Sequence, residues 1–328
     1  MTRFGKTIRT FGLATLAAAF ILPTQSNAAN AAVTLRVGKA VPTAFTFTPL
    51  DIGKKEGIFL KHGIKVQEFS FGGDAKMQQA LISGSIDIGI GSGPALAFVK
   101  KGSPVLGVAA MAGKPSLLCL VVSKKGPIHT IADLKGKIVS SSTPGSLTTW
   151  LVTELSRKQG WGPDGIKHAY LGGEAPQVAA LETGSVQGIT VQIASGYRLE
   201  QQGTGRILFQ YGNIVKHFIL HVIFARDALI AKNPKAVREF LAGWFDTIHY
   251  MEGHKKQVVQ IAAPIMHVSP AIAGRTYDEL MPIFSRTGKF DPAALRVLAQ
   301  SFVQMHLLPK EPDMQKLITE RFLPSASK

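Results

Sequence analysis

From residue 33 onward, short apolar runs of strand character trade places with amphipathic stretches of helical period. VTLRVG (33–38) alternates as a half-buried strand does. TPLDIGKKEG (48–57) predicts a short helix, with Thr48 as N-cap, Pro49 at the first helical position and Gly57 as its stop. IKVQEF (64–69) is the second strand, Asp74 caps a helix that ends at Gly84, and SIDIGI (85–90) is the third strand. A GSGP turn (91–94) feeds a helix reaching Lys101, and VLGVAAM (105–111) is the fourth strand. The order then repeats. KIVS (137–140), IKHAYL (166–171), SVQGI (185–189) and RILFQ (206–210) read as strands, and LTTWLVTELSRKQG, EAPQVAALETG and QIASGYRLEQQG as the helices between them. Strands alternating with helices imply an α/β fold with parallel sheets covered by helices on both faces.

One segment repeats in letters as well as in pattern. ALISGSIDIGI (80–90) and ALETGSVQGIT (180–190) share Ala, Leu, Gly and Ser at equivalent places, with Ser83/Thr183 and Ile86/Val186 as near-matches. Each copy marks a helix end, a glycine suited to positive φ, and the strand that follows. Two similar α/β lobes are the reading, with a chance likeness of helix ends as the alternative. Beyond about residue 226 the pattern becomes helical only. NPKAVREFLAGWFDTI (233–248) places Val237, Phe240, Leu241, Trp244, Phe245 and Ile248 on one helix face, and SPAIAG and DPAALRVLAQSFVQM also open with a capping residue and proline. These helices are expected to pack on the first lobe. The apolar strands LLCLVV (117–122) and HFILHVIFA (217–225) lie where the chain passes between lobes, so a hinge is expected near 117–126 and 217–226.

The first residues belong to a different class. MTRFGKTIRTFGLATLAAAFILPTQSNAANAA has Arg3, Lys6 and Arg9, then an apolar run from Phe11 to Leu22, then small residues suited to cleavage between 28 and 32. This is the pattern of a secretory signal peptide (1–28), too short to span a bilayer. A buried N-terminal helix is the alternative. Export to a periplasm agrees with cysteine usage: Cys119 is the only one, set in an apolar strand, and cannot form an internal disulfide. The formal net charge of +16 falls to about +13 without the signal. Such a field favours encounter with anionic ligands, or is simply a solvated basic surface. The charges are scattered and not interleaved with aromatics, so nucleic-acid binding is not expected.

Three stretches, PLDIGKKEGIFLKHGIKVQ, ALISGSIDIGI and DLKGKIVSSSTPGSLTTWLVTELSRKQGW, are similar in order and spacing to substrate-binding proteins of ABC importers, of the nitrate/sulfonate/taurine type. The likeness runs from about residue 33 to 325. It implies a two-lobed type II periplasmic binding protein fold with mixed, mainly parallel sheets, closing on a small molecule, and an inner-membrane permease with its ATPase as partners. A monomer without cofactor is expected. On this reading residues 33–120 with 225–328 form one lobe and 121–224 the other. The sequence departs from the pattern at Gln187, where the family carries an acidic residue, which weakens the case for ligand contacts at 187–192.

Ligands in parallel α/β lobes sit beyond the C-terminal ends of strands, near helix N-termini. KAVPTAFTFTP (39–49), GSGP (91–94) and SSSTPGS (140–146) hold that place, and the resemblance puts ligand contacts in the same loops. The candidate residues are Phe45, Thr46, Ser92, Gly93, Ser142, Thr143, Gly145, Ser146, Glu174 and Gln192. SSSTPGS is the best anion site: its hydroxyls and close-approaching backbone meet a helix N-terminus, which favours a negative group by about 0.3–1 kcal/mol. Ordinary N-capping competes with that role for each Ser or Thr. Phe45 and Phe47 either stack on a ligand or belong to the core; Glu174 either meets ligand or favours the helix dipole. His217 and His221 share a strand face but have no third ligand nearby, so no metal is expected.

The leading function is an extracytoplasmic binding protein delivering a small anionic organic solute such as a sulfonate, taurine, nitrate or carboxylate. The alternative is a thiamine-pyrimidine-related binding protein or enzyme on the same fold; that enzyme class relies on a cysteine-rich motif and works in the cytosol, against which stand the signal and the single cysteine. A ligand-binding module for a sensor kinase is a third reading. Processing gives a direct check. Intact-mass measurement on periplasmic protein should find an N-terminus between Ala28 and Ala32, and a full-length species kept in the cytosol would remove the export reading.

Overall fold

The computed structural model describes Met1, Thr2, Gly5 and residues 32–325, so the expected signal segment otherwise lies outside the described residues. Ten strands are described: β1 (Val33–Lys39), β2 (Ile64–Ser70), β3 (Ile88–Ser92), β4 (Val105–Ala112), β5 (Leu118–Ser123), β6 (Ile138–Ser141), β7 (Lys167–Tyr170), β8 (Gly188–Gln192), β9 (Gly205–Gln210) and β10 (His221–Arg226). They form two five-stranded sheets, ordered β2-β1-β3-β10-β4 and β7-β6-β8-β5-β9. In each, four strands run one way and one inner strand, β10 or β5, runs against them. The sheets are therefore mixed and mainly parallel, and the second repeats the order of the first.

The sequence echo is the repeated joint of this architecture. The helices Asp74–Ser83 and Glu174–Glu182 both run out into a left-handed glycine, Gly84 at φ 80° and Gly184 at φ 76°. Gly84 and Gly184 N–H groups donate to Leu81 and Leu181 carbonyls, both at 3.2 Å. The hydroxyls of Ser83 and Thr183 donate to the carbonyls of Ala80 and Ala180, again both at 3.2 Å. Next comes the bond that starts each strand. Asp87 accepts the Arg36 N–H at 3.0 Å and donates its own N–H to the Arg36 carbonyl at 2.8 Å. Gln187 does the same with Ile138, at 3.1 and 2.9 Å. The departure at Gln187 thus replaces an acid by an amide that keeps the same backbone bond, at the strand end remote from the expected ligand loops.

Three local expectations shift. Thr48 and Asp74 lie inside their helices rather than at the caps, which are Phe47 and Gly73. Phe45–Phe47 is already a 3-10 turn, and the Thr48 hydroxyl donates back to the Phe45 carbonyl at 2.7 Å. The chain crossings also move. All of β5 pairs with β8 or β9, so 118–120 belong to the second sheet, and 221–224 in β10 belong to the first. The connecting segments are 113–117 and 211–220, so 117 and 217–220 belong to the crossings, while 118–122 and 221–225 lie in inner strands, buried because each has a neighbour on both sides.

The C-terminal helices cover the first sheet's helices. Phe240 of Pro234–Gly253 stacks on Phe59 with centroids 5.2 Å apart, and Trp244 and Leu241 are fully buried beside it. Among the described residues no helix is long and apolar enough to cross a membrane.

The paired joints differ in charge, which makes them separable. Asp87→Ala removes both the backbone acceptor and the carboxylate that Arg36 grips at 2.6 Å, and should lower unfolding free energy by about 1.5–3 kcal/mol. Gln187→Ala should lower it by about 0.5–1.5 kcal/mol. Burial pushes the Asp87 carboxyl pKa up, but hydrogen bonds and charge from Arg36 outweigh it and hold it below the ordinary carboxylate range. A depressed carboxyl contributes stability above its unfolded pKa and loses it as pH falls through the folded value. Urea unfolding should show the gap between wild type and Asp87→Ala closing below about pH 4, and the Gln187→Ala gap staying constant.

Candidate functional site

Because β1, β2 and β3 are parallel, their C-terminal ends emerge along one edge: Lys39 is in register with Ser70 and with Ile90. The loops are tied there. Ala40 N–H donates to the Ile90 carbonyl and Gly73 N–H to the Ala40 carbonyl, both at 2.9 Å. Asp74, the first residue of its helix, accepts the Ser92 N–H at 2.9 Å and the Ser92 hydroxyl at 2.7 Å. The second sheet builds the matching edge. Gly172 N–H donates to the Ser142 carbonyl at 2.9 Å, and Glu174, at the place of Asp74, accepts the Ser195 hydroxyl at 2.5 Å and pairs with Arg198.

A cavity of about 540 Å³ lies between the helices Glu174–Glu182 and Ile193–Gln202 of the second lobe, lined by Glu174, Glu182, Gln192, Ser195 and Arg198 and bounded by Thr43 of the first loop and the turn at His267; neither Ser92 and Gly93 nor residues 140–146 line it. The Arg198 Nε is buried without a hydrogen-bond partner. A larger groove of about 700 Å³, lined by His62, Asp246 and Arg286, sits on the C-terminal helices and touches none of the candidate residues. Cross-lobe contacts border the cleft. Trp150 Nε1 donates to Gln304 Oε1 at 2.6 Å, and Arg275 lies 3.6 Å over the Tyr197 ring while pairing with Glu200 at 2.9 Å.

The candidate residues divide into groups. Glu174 and Gln192 line the cavity together. Ser92 and Gly93 stand on the first edge: Ser92 is held by Asp74, and Gly93 donates its N–H to the Leu220 carbonyl at 2.9 Å. A Cβ at Gly93 would lie 1.9 Å from the Ile219 carbonyl oxygen, so only glycine fits beside that crossing. Phe45 and Phe47 are core residues, Phe45 against Tyr277 and Phe284 and Phe47 against His221. Thr46 is fully buried, its hydroxyl without a partner. His217 is exposed beside Asp291 and His221 is buried, its pKa lowered to about 3 by burial, so the two do not act as a pair.

SSSTPGS is tied mainly to itself. Ser142 Oγ lies 2.9 Å from Ser146 Oγ and 2.8 Å from Thr148 Oγ1, and Thr149 Oγ1 donates to the Thr143 carbonyl at 2.7 Å. Ser146 is the N-cap of Leu147–Lys158, accepting the Thr149 N–H at 3.3 Å. Gly145, at φ 72°, passes close to the Met305 carbonyl. The first-turn N–H groups of Leu147 and Thr148 have no partner one turn earlier, as helix geometry requires. Sequence reasoning missed Asp74 as an organiser, Thr43, and above all Arg198. The spacing of Ser195 and Arg198, three apart on the helix Ile193–Gln202, was the available signal, since such residues share a face.

Comparison with known proteins agrees with this architecture. The family model described as NMT1/THI5 like matches residues 44–258. A putative aliphatic sulfonates-binding protein of Escherichia coli (strain K12) is 25% identical over 264 residues, covering 77% of this chain and 79% of that protein. Among solved structures, the periplasmic aliphatic sulphonate binding protein of Escherichia coli superposes with a TM-score of 0.76 at 22% identity, over 90% of this chain and 94% of its own. The alkanesulfonate-binding protein of Xanthomonas axonopodis pv. citri, bound to MOPS, gives 0.72 at 20% identity, over 88% and 98%. These structures share the fold.

Capping and ligand roles in SSSTPGS can be separated by stability alone. Ser146→Ala should cost about 0.5–2 kcal/mol, as loss of an N-cap does. Thr143, whose side chain is exposed and makes no hydrogen bond among the described residues, should change stability by no more than about 0.5 kcal/mol when replaced by alanine. Urea denaturation of the two single variants measures both; equal losses would mean that the cap is not Ser146 alone.

Proposed function

The chain belongs to the NMT1/THI5-like family, and we propose that it is the periplasmic solute-binding component of an ABC importer, capturing a small anionic organic solute between its two sheets. A sulfonate is the first choice, following the aliphatic sulfonates named for its relatives, and delivery is to a membrane permease with its ATPase, the chain acting as a monomer. The observation that carries this reading is a cavity of a volume usual for small-molecule sites, bounded by Thr43 of the first loop and by two helices of the second lobe, where Arg198 stands among the carboxylates Glu174 and Glu182. Arg198 is half committed to Glu174, but its Nε has no partner, and Gln192 and Ser195 stand beside it to complete a polar grip. An oxyanion there receives charge-assisted hydrogen bonds, while a basic surface steers it in.

An enzyme on the same fold is the weaker reading. Cys119, the only thiol, is fully buried in β5, and burial pushes its pKa up, which leaves no thiolate for chemistry.

Thermal melts and calorimetric titration of the mature protein against alkanesulfonates, taurine, nitrate and aromatic carboxylates test the proposal. A true ligand at a hundredfold its Kd stabilises the fold by about 2.7 kcal/mol. Arg198→Gln should then bind it about ten- to hundredfold more weakly, the loss of a bond to a charged group. Absence of any response across these acids, or an unchanged affinity in Arg198→Gln, would count against the proposal.

A further inference from the structure

Among the described residues, the side-chain hydrogen bonds that join the two lobes come from the C-terminal helices on the first-lobe side, and not from the sheet. Gln304 ends the helix Pro292–Gln304, and its Oε1 accepts the Trp150 indole N–H at 2.6 Å. Trp150 stands at the start of Leu147–Lys158, is buried, and stacks on Phe218 of the second crossing with centroids 5.2 Å apart. The loop before it is close as well: a Cβ at Gly145 would lie 3.0 Å from the Met305 carbonyl oxygen. The other contact uses a different helix of the second lobe. Arg275, of Pro270–Leu280, lies 3.6 Å over the Tyr197 ring and pairs with Glu200 at 2.9 Å. Tyr197 and Glu200 stand three apart on Ile193–Gln202 and so share a face. Glu200 Oε1 also accepts the Ile207 N–H of β9 at 3.2 Å, which fixes the carboxylate for Arg275 to meet.

A buried indole N–H needs an acceptor, and the one that Trp150 has belongs to the other lobe. A guanidinium that lies on an aromatic face and pairs with a fixed carboxylate satisfies both of its preferences at once. The turns that follow the first-lobe helices are held too. His306, next to Met305, and His267, at the cavity, carry left-handed φ values of 57° and 55°, which non-glycine residues keep only where their surroundings impose them. A single contact would leave the lobes free to pivot about it; two, on different helices of the second lobe, restrict that motion. We propose that the C-terminal helices are a latch. Through Gln304 and Arg275 they hold the two lobes together in the solute-free chain, and a solute enters when these contacts part. The latch is a property of the chain without solute; only its use in uptake rests on the proposed binding role.

Spin labels on Lys65→Cys and Lys167→Cys, exposed positions on the outer strands β2 and β7, report lobe separation by double electron–electron resonance. Cys119 is fully buried and stays unlabelled. The mature protein without solute should show one main distance, that of this structure. Trp150→Phe keeps an aromatic ring against Phe218 and removes the donor, and Gln304→Met removes the acceptor from an exposed position. Each should raise the ratio of longer to shorter distances about two- to tenfold, as loss of one hydrogen bond does, and the two together should do no more than either. Arg275→Gln should move the ratio in the same direction. Salt tells the two contacts apart, because only the ion pair is screened. Added sodium chloride should lengthen distances in Trp150→Phe and leave Arg275→Gln unmoved. Circular dichroism melts check that each variant folds as wild type does. A wild type that is mainly open without solute, distances unmoved in all three single variants, or additive effects of Trp150→Phe and Gln304→Met would overturn the latch.

Discussion

The architecture depends on how each parallel strand is started. Asp87 and Gln187 each close a two-way bond with the backbone of the neighbouring strand, β1 at Arg36 and β6 at Ile138. Strand side chains alternate with period two, so a slip of one residue would turn every buried position of β3 or β8 to the wrong face. Pinning the start of the strand also fixes where its other end emerges. Lys39, Ser70 and Ile90 come level, as do Ser141 and Tyr170, and the loops that follow are forced to lie side by side. The cleft edges are a consequence of bonds made at the opposite ends of the strands.

The two copies of the joint show which chemistry the fold requires and which it tolerates. At 87 and 187 the requirement is an acceptor for one backbone N–H, which an amide meets as well as a carboxylate. Position 74/174 is stricter in charge. Both residues open a helix, where a negative group is favoured, and both accept a serine hydroxyl, Asp74 from Ser92 at the end of the next strand and Glu174 from Ser195 in the first turn of the helix after it. Divergence enters through the partner. Asp74 is closed off by Ser92 and half-buried, with desolvation raising its pKa, while Glu174 meets Arg198 at the cavity wall. One copy has become a clamp within its own lobe and the other has kept a charged group facing the cleft.

Strand and helix order was legible in the sequence because the apolar period and the glycine stops are local signals. VTLRVG and IKVQEF lie within the strands observed, and KIVS overlaps its strand from Ile138. The joints were legible too, since ALISGS and ALETGS repeat the residues that make the turn. Sheet membership of LLCLVV and HFILHVIFA was not, because an apolar run announces burial without naming its neighbours. The same limit applies to the site. Glu174 and Gln192, named from their places at helix and strand ends, line one cavity, but Arg198, which lines it too, sits a full turn into a helix that reaches it only through the sheet order. Thr46 and Phe45 failed as open cleft residues for another reason: the C-terminal helices bring Tyr277 and Phe284 down on that turn, a long-range contact no local pattern carries.

The reversed strands also decide which parts of the chain can yield. β5 is hydrogen-bonded on one side to β8 and on the other to β9, and β10 likewise to β3 and β4. Separation of the lobes cannot draw on these strands without breaking whole ladders, so in the proposed binding role any rotation is expected at 113–117 and 211–220. The contacts that bridge the lobes are of a different order. Trp150 to Gln304 is a single neutral hydrogen bond, and Arg275 to Glu200 is a partly exposed ion pair of the kind worth about 0–1 kcal/mol. In the proposed binding role, ladder-bonded lobes joined across the gap by a few such contacts suit an open–closed balance that a bound solute shifts. A solute making two or three charge-assisted bonds has enough differential affinity to tip such a balance. Rigid edges and a weakly held gap are what capture and release require of the same molecule.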